Sequence, residues 1–527
     1  MNPFQKKLTI LVVLAGVLLP QTLAIRRPLA GHFGSYQQVM AGMARGFERG
    51  HFKNLLLPET DIIVGGERSL HLNQYPFPSL FAAFGDRFLG LGLEFWGRLQ
   101  AILFNLASIV LIGLIAGALF DRAAGWMTAA IYAFSPYALI NGQLFFSEPM
   151  AMACLLLAVY LLVRSEEIGM AEIVGSALAL GLAITGRIHL VLFYPLLAWQ
   201  SLRRSRQPVS GFLVYSVFAA ALPLAWYGFT YFASLNSEHI LTNIFFQAAA
   251  RKVGDQNYLR SLEYYRHIFD ILAQTMLTPL VFPFLFAGLA ALYLKKHKAA
   301  PFLLGGLAAG GAIAVLSPQK VMAHDFYLYG LFPFVCLCAG WGLRTTAGAF
   351  PAAAASRAAF AGLALYFLVS ARYFAHPIFT VPPETADDLA AARAVRSLTQ
   401  PDDKIIVGGD SPATLLYYAD RPAWTMQFTE FGKGLPYYLN NPKFSKRSAQ
   451  IIQEEEEAMK DPVTWLEYLK GQGAHYFAVP RRAELDKETP LAGYLKGHYA
   501  ELSKPKDPFY LFDLHGMPEE AEMSPAV

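Results

Sequence analysis

The sequence predicts a mostly α-helical, polytopic membrane domain followed by an extracytoplasmic α/β domain. Three observations carry that prediction. Apolar runs of about 20 residues recur up to Tyr373, only 16% of the 527 residues are charged while 55% are hydrophobic, and the charge balance changes sign near residue 375. An ordinary soluble domain carries roughly 25% charged residues, so this much apolar surface exceeds what a soluble core absorbs. From Ala375 onward 16 Lys and Arg stand against 23 Asp and Glu, a balance of −7, which leaves +11 for everything before it. These values exclude a single soluble enzyme domain, a disordered chain and a disulfide-rich secreted scaffold. A net charge of +4 is too mild to call for nucleic acid as a partner. Cys154, Cys336 and Cys338 all sit in apolar runs, where packing is the default role.

About eleven membrane-spanning helices are read, near residues 8–24, 95–120, 123–145, 149–164, 170–186, 187–201, 211–233, 269–294, 301–317, 326–343 and 353–373. Their orientation follows from the excess of Lys and Arg in cytoplasmic loops. With the N-terminus inside, those loops hold Lys6 and Lys7, Arg122, Arg164, Arg203 with Arg204 and Arg206, Lys295 with Lys296 and Lys298, and Arg344 with Arg357. An odd number of spans then places the tail outside a multi-pass protein of the cytoplasmic (inner) membrane. The first span resembles a cleaved signal, but Arg26-Arg27 follow it at once and it is read as retained. The predicted division is therefore residues 1–374 as the transmembrane domain, with outer loops 25–94 and 235–268, and residues 375–527 as the extracytoplasmic domain.

In chain order, the first outer loop carries Gly31-His32-Phe33-Gly34-Ser35-Tyr36. A helix follows with Val39, Met40, Met43, Ala44 and Phe47 on one face, the pattern of an amphipathic helix at an interface. The stretch His71-Leu72-Asn73-Gln74-Tyr75-Pro76 comes next, and then Phe145-Phe146-Ser147-Glu148-Pro149-Met150. A carboxylate between two apolar spans is costly near lipid, so Glu148 faces a water-filled cavity or a cation; as a plain alternative it only complements a helix N-terminus. Arg187 stands alone in a turn, and Arg251, Lys252, Arg260 and Arg266 crowd the loop 235–268. Either an anionic ligand or lipid headgroups explain positive charge on that side. Lys320-Val321-Met322-Ala323-His324-Asp325-Phe326-Tyr327 offers donors at headgroup level, suited to phosphate or to simple interfacial anchoring. Gly305 to Gly311 reads as a helix-contact stripe. In the tail, Asp387 to Leu398 is a helix, Lys404 to Val407 a strand, and Ser411 the cap of a helix over Ala413 to Ala419. A short helix over Trp465 to Leu469 and strands at His475 to Val479 and Phe509 to Leu514 complete it, while Glu454 to Glu457 reads as a solvated helix face.

Taken in this order, the elements resemble the C-type (GT-C) polytopic membrane glycosyltransferases, in particular the branch of protein O-mannosyltransferases and the lipid A aminoarabinose transferase. The phrases that carry the resemblance are GHFGSYQQVMAGMARG, QYPFPSLFAAFGDRFLG, FSPYALINGQLFFSEPM, LAITGR, HDFYLYGLFPFVCLCAGWGL and, in the tail, SPATLLYYADRPAW. The resemblance implies transfer of a sugar from a polyprenyl-phosphate donor to an acceptor protein, lipid or glycan at the outer membrane face, usually with inversion. It implies that Glu148 is catalytic and that Arg187, Lys320, His324, Asp325 and Tyr327, with Arg251 and Arg266, hold the carrier phosphate. It also implies that Tyr36, His71 and Tyr75 line the substrate loop.

Relatives carry an acid soon after the first span, and this chain has none between Ile25 and Phe47. His32 stands in its place. Three readings stay open: His32 is the base, the main acid lies elsewhere, or transfer has been lost. No Walker loop, HExxH, CxxC or DxD is present, so no cofactor is implied and a divalent metal is left open rather than called for. The expected partners are the polyprenyl-phosphate sugar donor, membrane lipids and an acceptor of undetermined class. A lipid or solute transporter and a catalytically silent envelope scaffold are the alternatives; a transporter would show matched half-chain repeats, and none is evident.

Overall fold

A computed structural model describes residues 25–31, 33–243, 256–349, 380–410, 412–431 and 446–517, with isolated positions between 18 and 22 and between 358 and 372. The chain divides by packing into two units. One comprises Met1–Arg26, Phe95–Gly228 and Arg251–Thr380, the other Arg27–Glu94, Phe229–Ala250 and Val381–Val527. The division thus does not follow the linear boundary at residue 374.

The first unit is helical. Among the described residues, Leu93–Leu119 and Pro208–Leu235 are each long and apolar enough to cross a bilayer. Leu262–Met276 and Thr278–Leu294, bent by 104°, make a third if they form one broken span, and Glu148–Val163, Met170–Gly186 and Ala300–Leu316 are shorter apolar helices. The expected spans 8–24 and 353–373 fall largely outside the described residues. Several other expected spans are broken rather than continuous, and proline sets the breaks. Arg122–Phe134 stops at Ser135, and Pro136–Asn141 begins anew. A 3-10 turn, Ile188–Phe193, precedes Tyr194–Arg204 with Pro195 in its first turn, and Asp325–Gly330 precedes Phe332–Ala347 with Pro333 there. Proline fits a first helical turn because its missing N–H has no partner to lose there.

Small residues let these helices approach. A Cβ on Gly288 would overlap the Cys338 carbonyl, and one on Gly342 would overlap the Phe284 carbonyl, so Thr278–Leu294 and Phe332–Ala347 meet backbone to backbone. Gly310 stands likewise 2.5 Å, from its would-be Cβ, to Leu331 Cα, as expected of a stripe of small residues. One end of the unit collects the basic loops. Arg344 Nε donates to Asp121 at 2.9 Å, Lys298 Nζ to Glu166 at 2.8 Å and Arg164 to Glu172 at 2.5 Å, while Ile168 N donates to the Arg204 carbonyl at 3.0 Å.

The second unit is built on one eight-stranded sheet, in the order β3-β2-β1-β5-β4-β6-β8-β7. The strands are β1 (Glu59–Val64), β2 (Glu67–Leu72), β3 (Ile240–Asn243), β4 (Ile405–Gly408), β5 (Ala423–Met426), β6 (Tyr476–Val479), β7 (Ala500–Glu501) and β8 (Tyr510–Asp513). Gly65 and Gly66, with φ of 61° and 84°, turn the β1–β2 hairpin, a left-handed conformation that favours glycine. Ile62 pairs with Ala423 in parallel, and β2 pairs with β3. The segments expected as outer loops of the membrane domain therefore supply three strands to the sheet of the tail. Alternation along the strands makes two cores. Ile406, Phe477 and Phe512 face Trp465, Leu469 and Leu495, whereas Ile405, Val407, Ala478 and Leu511 face Ala391, Val395, Leu415 and Ala419, so helices cover both faces.

Two expectations change here, and a third falls outside the described residues. The helix Gly34–Arg49 does not keep its apolar face for lipid: Met40, Met43, Ala44 and Phe47 are buried, and Ser79 Oγ donates to the Met40 carbonyl at 2.8 Å. Glycine at position 46 admits the Glu59 carbonyl where a Cβ would overlap it. Next, the run Glu454 to Glu457 is not uniformly solvated, because Glu455 is buried in an ion pair with Arg447. In the turn after β4, Asp410 N donates at 3.1 Å to Glu484 Oε2. Lastly, Ser411, the expected cap, lies outside the described residues, and Pro412 stands at the start of Ala413–Ala419.

Candidate functional site

The helices Glu148–Val163 and Met170–Gly186 pack side by side. Ser176 Oγ donates to the Ala158 carbonyl at 2.8 Å, and a Cβ on Gly186 would lie 3.0 Å from Met150 Cε and 3.4 Å from Ala151 Cβ. This packing brings the N-terminus of the first helix to the C-terminus of the second. Glu148 opens the first, with Pro149 in its first turn, and Arg187 ends the second. A carboxylate at a helix N-terminus and a cation at a C-terminus each complement the local dipole. The two side chains form an ion pair, with Glu148 only 1% and Arg187 only 8% exposed. A buried pair survives desolvation only through close mutual compensation.

A ring of aromatic and polar groups encloses this pair. The Arg187 guanidinium lies 5.3 Å from the centroid of Phe326, which Phe146 approaches edge-on at 5.9 Å and on which His324 stacks at 5.0 Å. Tyr327 lies 5.6 Å from His189 and carries Lys320 Nζ at 5.6 Å over its ring. Tyr137 donates its hydroxyl to the Asp325 carbonyl at 2.8 Å, tying the turn after the first break to the turn before Phe326. Tyr227 donates to the Ile184 carbonyl at 3.1 Å, satisfying one of the last acceptors of the helix that carries Arg187. In the turn ahead of the segment 326–343, burial pushes the Asp325 carboxyl up to about 6 and Glu148 adds to the rise, while the backbone N–H groups of Phe326 and Asp325 oppose it.

The chemistry open to this constellation is specific. Glu148 offers a carboxylate, Arg187 presents paired N–H donors that suit a phosphate group, and Lys320 supplies a second cation. An anionic ligand at Arg187 would compete with Glu148 for the guanidinium, which frees the carboxylate as it binds. Among the described residues no group of three His, Cys, Asp or Glu side chains is arranged to hold a metal ion.

Of the residues expected at the site, Glu148, Arg187, Lys320, His324, Asp325 and Tyr327 are brought together. Arg266 is not, because its guanidinium is 83% exposed and lies 4.0 Å from Asp270 one turn on. His32 and Arg251 lie outside the described residues. Tyr36, His71 and Tyr75 belong to the sheet unit: Tyr36 on the helix Gly34–Arg49, His71 within β2 opposite Thr242, and Tyr75 just before the helix Phe77–Leu89. The sequence reading missed His189, Tyr137 and Tyr227. His189 stood two residues past Arg187 and Tyr137 just past a Ser-Pro break, both readable as turn positions; Tyr227 sits inside an apolar run and gave no signal.

Residues 74–227 match the family model described as dolichyl-phosphate-mannose-protein mannosyltransferase. A comparison with curated protein sequences finds no match. Among solved structures the chain is similar to ArnT from Cupriavidus metallidurans in the apo state, with a TM-score of 0.63 at 15% identity over 99% of this chain and 100% of that one. The same protein bound to undecaprenyl phosphate aligns with a TM-score of 0.57 at 14% identity, over 97% and 98% of the two chains. The oligosaccharyltransferase AglB from Archaeoglobus fulgidus, solved with an inhibitory peptide and a dolichol-phosphate, gives 0.53 at 13% identity, over 97% of this chain and 74% of that one. The arabinofuranosyltransferase AftD from Mycobacteria gives 0.55 at 14%, over 96% and 42%. The chain has the fold of these GT-C glycosyltransferases.

Proposed function

We propose that the chain transfers a glycosyl group from a polyprenyl-phosphate donor to an acceptor at the extracytoplasmic face of the cytoplasmic membrane. The observation that carries this reading is the buried Glu148–Arg187 pair, set beside Lys320, His324 and Tyr327 and lying inside the region matched by the mannosyltransferase family model. ArnT with undecaprenyl phosphate and AglB with a dolichol-phosphate support a phosphate-linked polyprenyl carrier.

In the reaction, the acceptor oxygen attacks the anomeric carbon as the bond from that carbon to the phosphate oxygen breaks. The acceptor proton passes to a base, and the carrier leaves as polyprenyl phosphate. Arg187 stabilises the charge that develops on the leaving phosphate, with Lys320 as a second cation. Glu148, released from Arg187, accepts the proton or orients the acceptor; His32 is the alternative base, its near-neutral reference pKa suiting the task. Tyr36, His71 and Tyr75 act on the acceptor side, and Arg251 and Arg266 attract the anionic carrier. About eleven spans, with the N-terminus inside and the sheet unit outside, complete the proposed topology. It accords with the gathering of Arg164, Lys298 and Arg344 at one end of the helical unit.

The test is transfer in proteoliposomes from a panel of labelled polyprenyl-phosphate hexoses and pentoses to membrane extracts. Label moving from carrier to a chromatographically distinct product supports the reading. Flipping or export of the donor without cleavage of its sugar–phosphate bond would make the chain a transporter instead.

A further inference from the structure

The sheet unit contains a depression remote in sequence from the Glu148 cluster. It opens where the β1–β2 turn and β5 meet the helices Ala449–Ala458 and Pro462–Gly471, and it encloses about 820 Å³ of empty space counted to its mouth. Its fully enclosed part is about 140 Å³, smaller than the ~300–1,000 Å³ of drug-sized sites. Its walls combine two kinds of group. Trp424, Trp465 and Tyr468 supply aromatic surface. Tyr468, half-buried, lies flat on Trp465 at 5.3 Å with 10° between the planes, so a second ring backs it. Arg447, Glu455 and Gln472 supply polar atoms, and Glu238 and Glu454 stand exposed among the lining residues.

Glu455 is the informative member. It is 5% exposed and paired through one oxygen with Arg447, yet Oε2 accepts no hydrogen bond from any described residue. Burial raises this carboxyl above its ordinary range, and Arg447 opposes the rise. A buried acceptor left without a donor costs free energy unless a ligand or water completes it. The neighbouring donors and acceptors are mixed, with a guanidinium, a carboxylate and an amide around flat apolar rings. A pyranose presents the complementary surface: one face of C–H groups that stacks on an aromatic platform, and an equatorial rim of hydroxyls that both donate and accept. Phosphate-bearing and other anionic ligands fit poorly, since the lining holds three carboxylates to one guanidinium.

We infer that this depression is a saccharide-binding site, with Tyr468 on Trp465 as the stacking platform and Glu455, Arg447 and Gln472 as hydroxyl partners. Its role as the place that holds a glycan acceptor rests on the transferase reading above. Its capacity to bind sugar does not.

The test is saturation-transfer NMR on the full chain in nanodiscs, with methyl glycosides of a hexose, an N-acetylhexosamine and a pentose and with a lysine-rich peptide as competitor. The expected result is a millimolar signal from at least one glycoside, lost in Tyr468→Ala and weakened at least about fivefold in Gln472→Ala. Gln472 is exposed at the end of its helix, so its variant reports even if Tyr468→Ala fails to fold. No glycoside signal, equal signals in wild type and Gln472→Ala, or binding of the peptide alone would each overturn the assignment. The readout needs no donor and no turnover, so a failure of transfer leaves it intact.

Discussion

The Glu148–Arg187 pair makes a sharp prediction about stability. Both side chains are buried, at 1% and 8% exposure, so removing one partner strands the other charge where water does not reach it. Arg187→Met removes the cation paired with a buried carboxylate and Glu148→Gln the carboxylate paired with a buried guanidinium, and each should cost about 3–5 kcal/mol. The double variant buries two neutral groups of similar size and should cost far less than the sum, leaving a coupling energy of at least about 2 kcal/mol. Arg187→Met also forfeits the contact with Phe326 at 5.3 Å, worth about 0.5–2 kcal/mol. That loss occurs in both the single and the double variant and cancels from the cycle. The assay is reversible denaturant titration of the four proteins in the same micelles, followed by tryptophan fluorescence. Additive costs, with the double variant as unstable as the two singles combined, would refute the reasoning and mean that the pair does not hold the two helix ends together.

Other substitutions test the packing and the electrostatics. Gly342→Ala places a methyl on the Phe284 carbonyl and should cost about 1–3 kcal/mol; Gly311→Ala, with nothing within 4 Å of its would-be Cβ, should be neutral or stabilising, and equal thermal shifts would contradict this. Asp61 is 1% exposed between Arg45 at 3.1 Å, Arg49 and Arg68 at 3.8 Å. Asp61→Asn should therefore cost about 3–5 kcal/mol and speed amide exchange in β1 and β5 ahead of the helical unit. Asp388 is pushed up to about 6, burial being the main cause, with Arg481 opposing and Glu484 adding. A carboxyl whose folded pKa lies above its unfolded value binds its proton more tightly when folded, so this group's contribution falls as pH rises from about 4 through about 6. Asp388→Asn should flatten that stretch of the stability–pH curve and gain on the order of 1–3 kcal/mol at pH 7; an unchanged slope would count against it.

What the sequence made legible follows from which interactions are local. Helices set by an apolar run and a proline start were read closely: the runs 149–164, 170–186 and 301–317 appear as Glu148–Val163, Met170–Gly186 and Ala300–Leu316. The run 269–294 was read as continuous although Leu277 breaks it, because hydropathy alone does not register a bend that Pro279 and its neighbours permit. The partners of Ile62 and Leu70 could not be read at all, since Ala423 and Ile240 are remote in sequence and no local pattern specifies a parallel neighbour. The β1–β2 hairpin, however, had a signal in Gly65-Gly66 between two β-branched and alternating stretches. At the site, Glu148 and Arg187 stood out as lone charges amid apolar residues, but their pairing is a tertiary fact. Glu455 was lost among four consecutive glutamates, where one-dimensional charge density hides which member turns inward.

On the proposed function, Glu148 and Arg187 act on opposite sides of a glycosyl transfer from a polyprenyl phosphate. The most direct measurement is steady-state transfer in proteoliposomes by wild type, Glu148→Gln and Arg187→Lys, with kcat and KM for the donor resolved separately. Glu148→Gln should lower kcat by about 10²–10⁴-fold with little change in KM for the donor, and Arg187→Lys, which keeps the charge but loses the paired donors, should impair both. Full activity in both variants, in protein shown to be folded, would contradict the account.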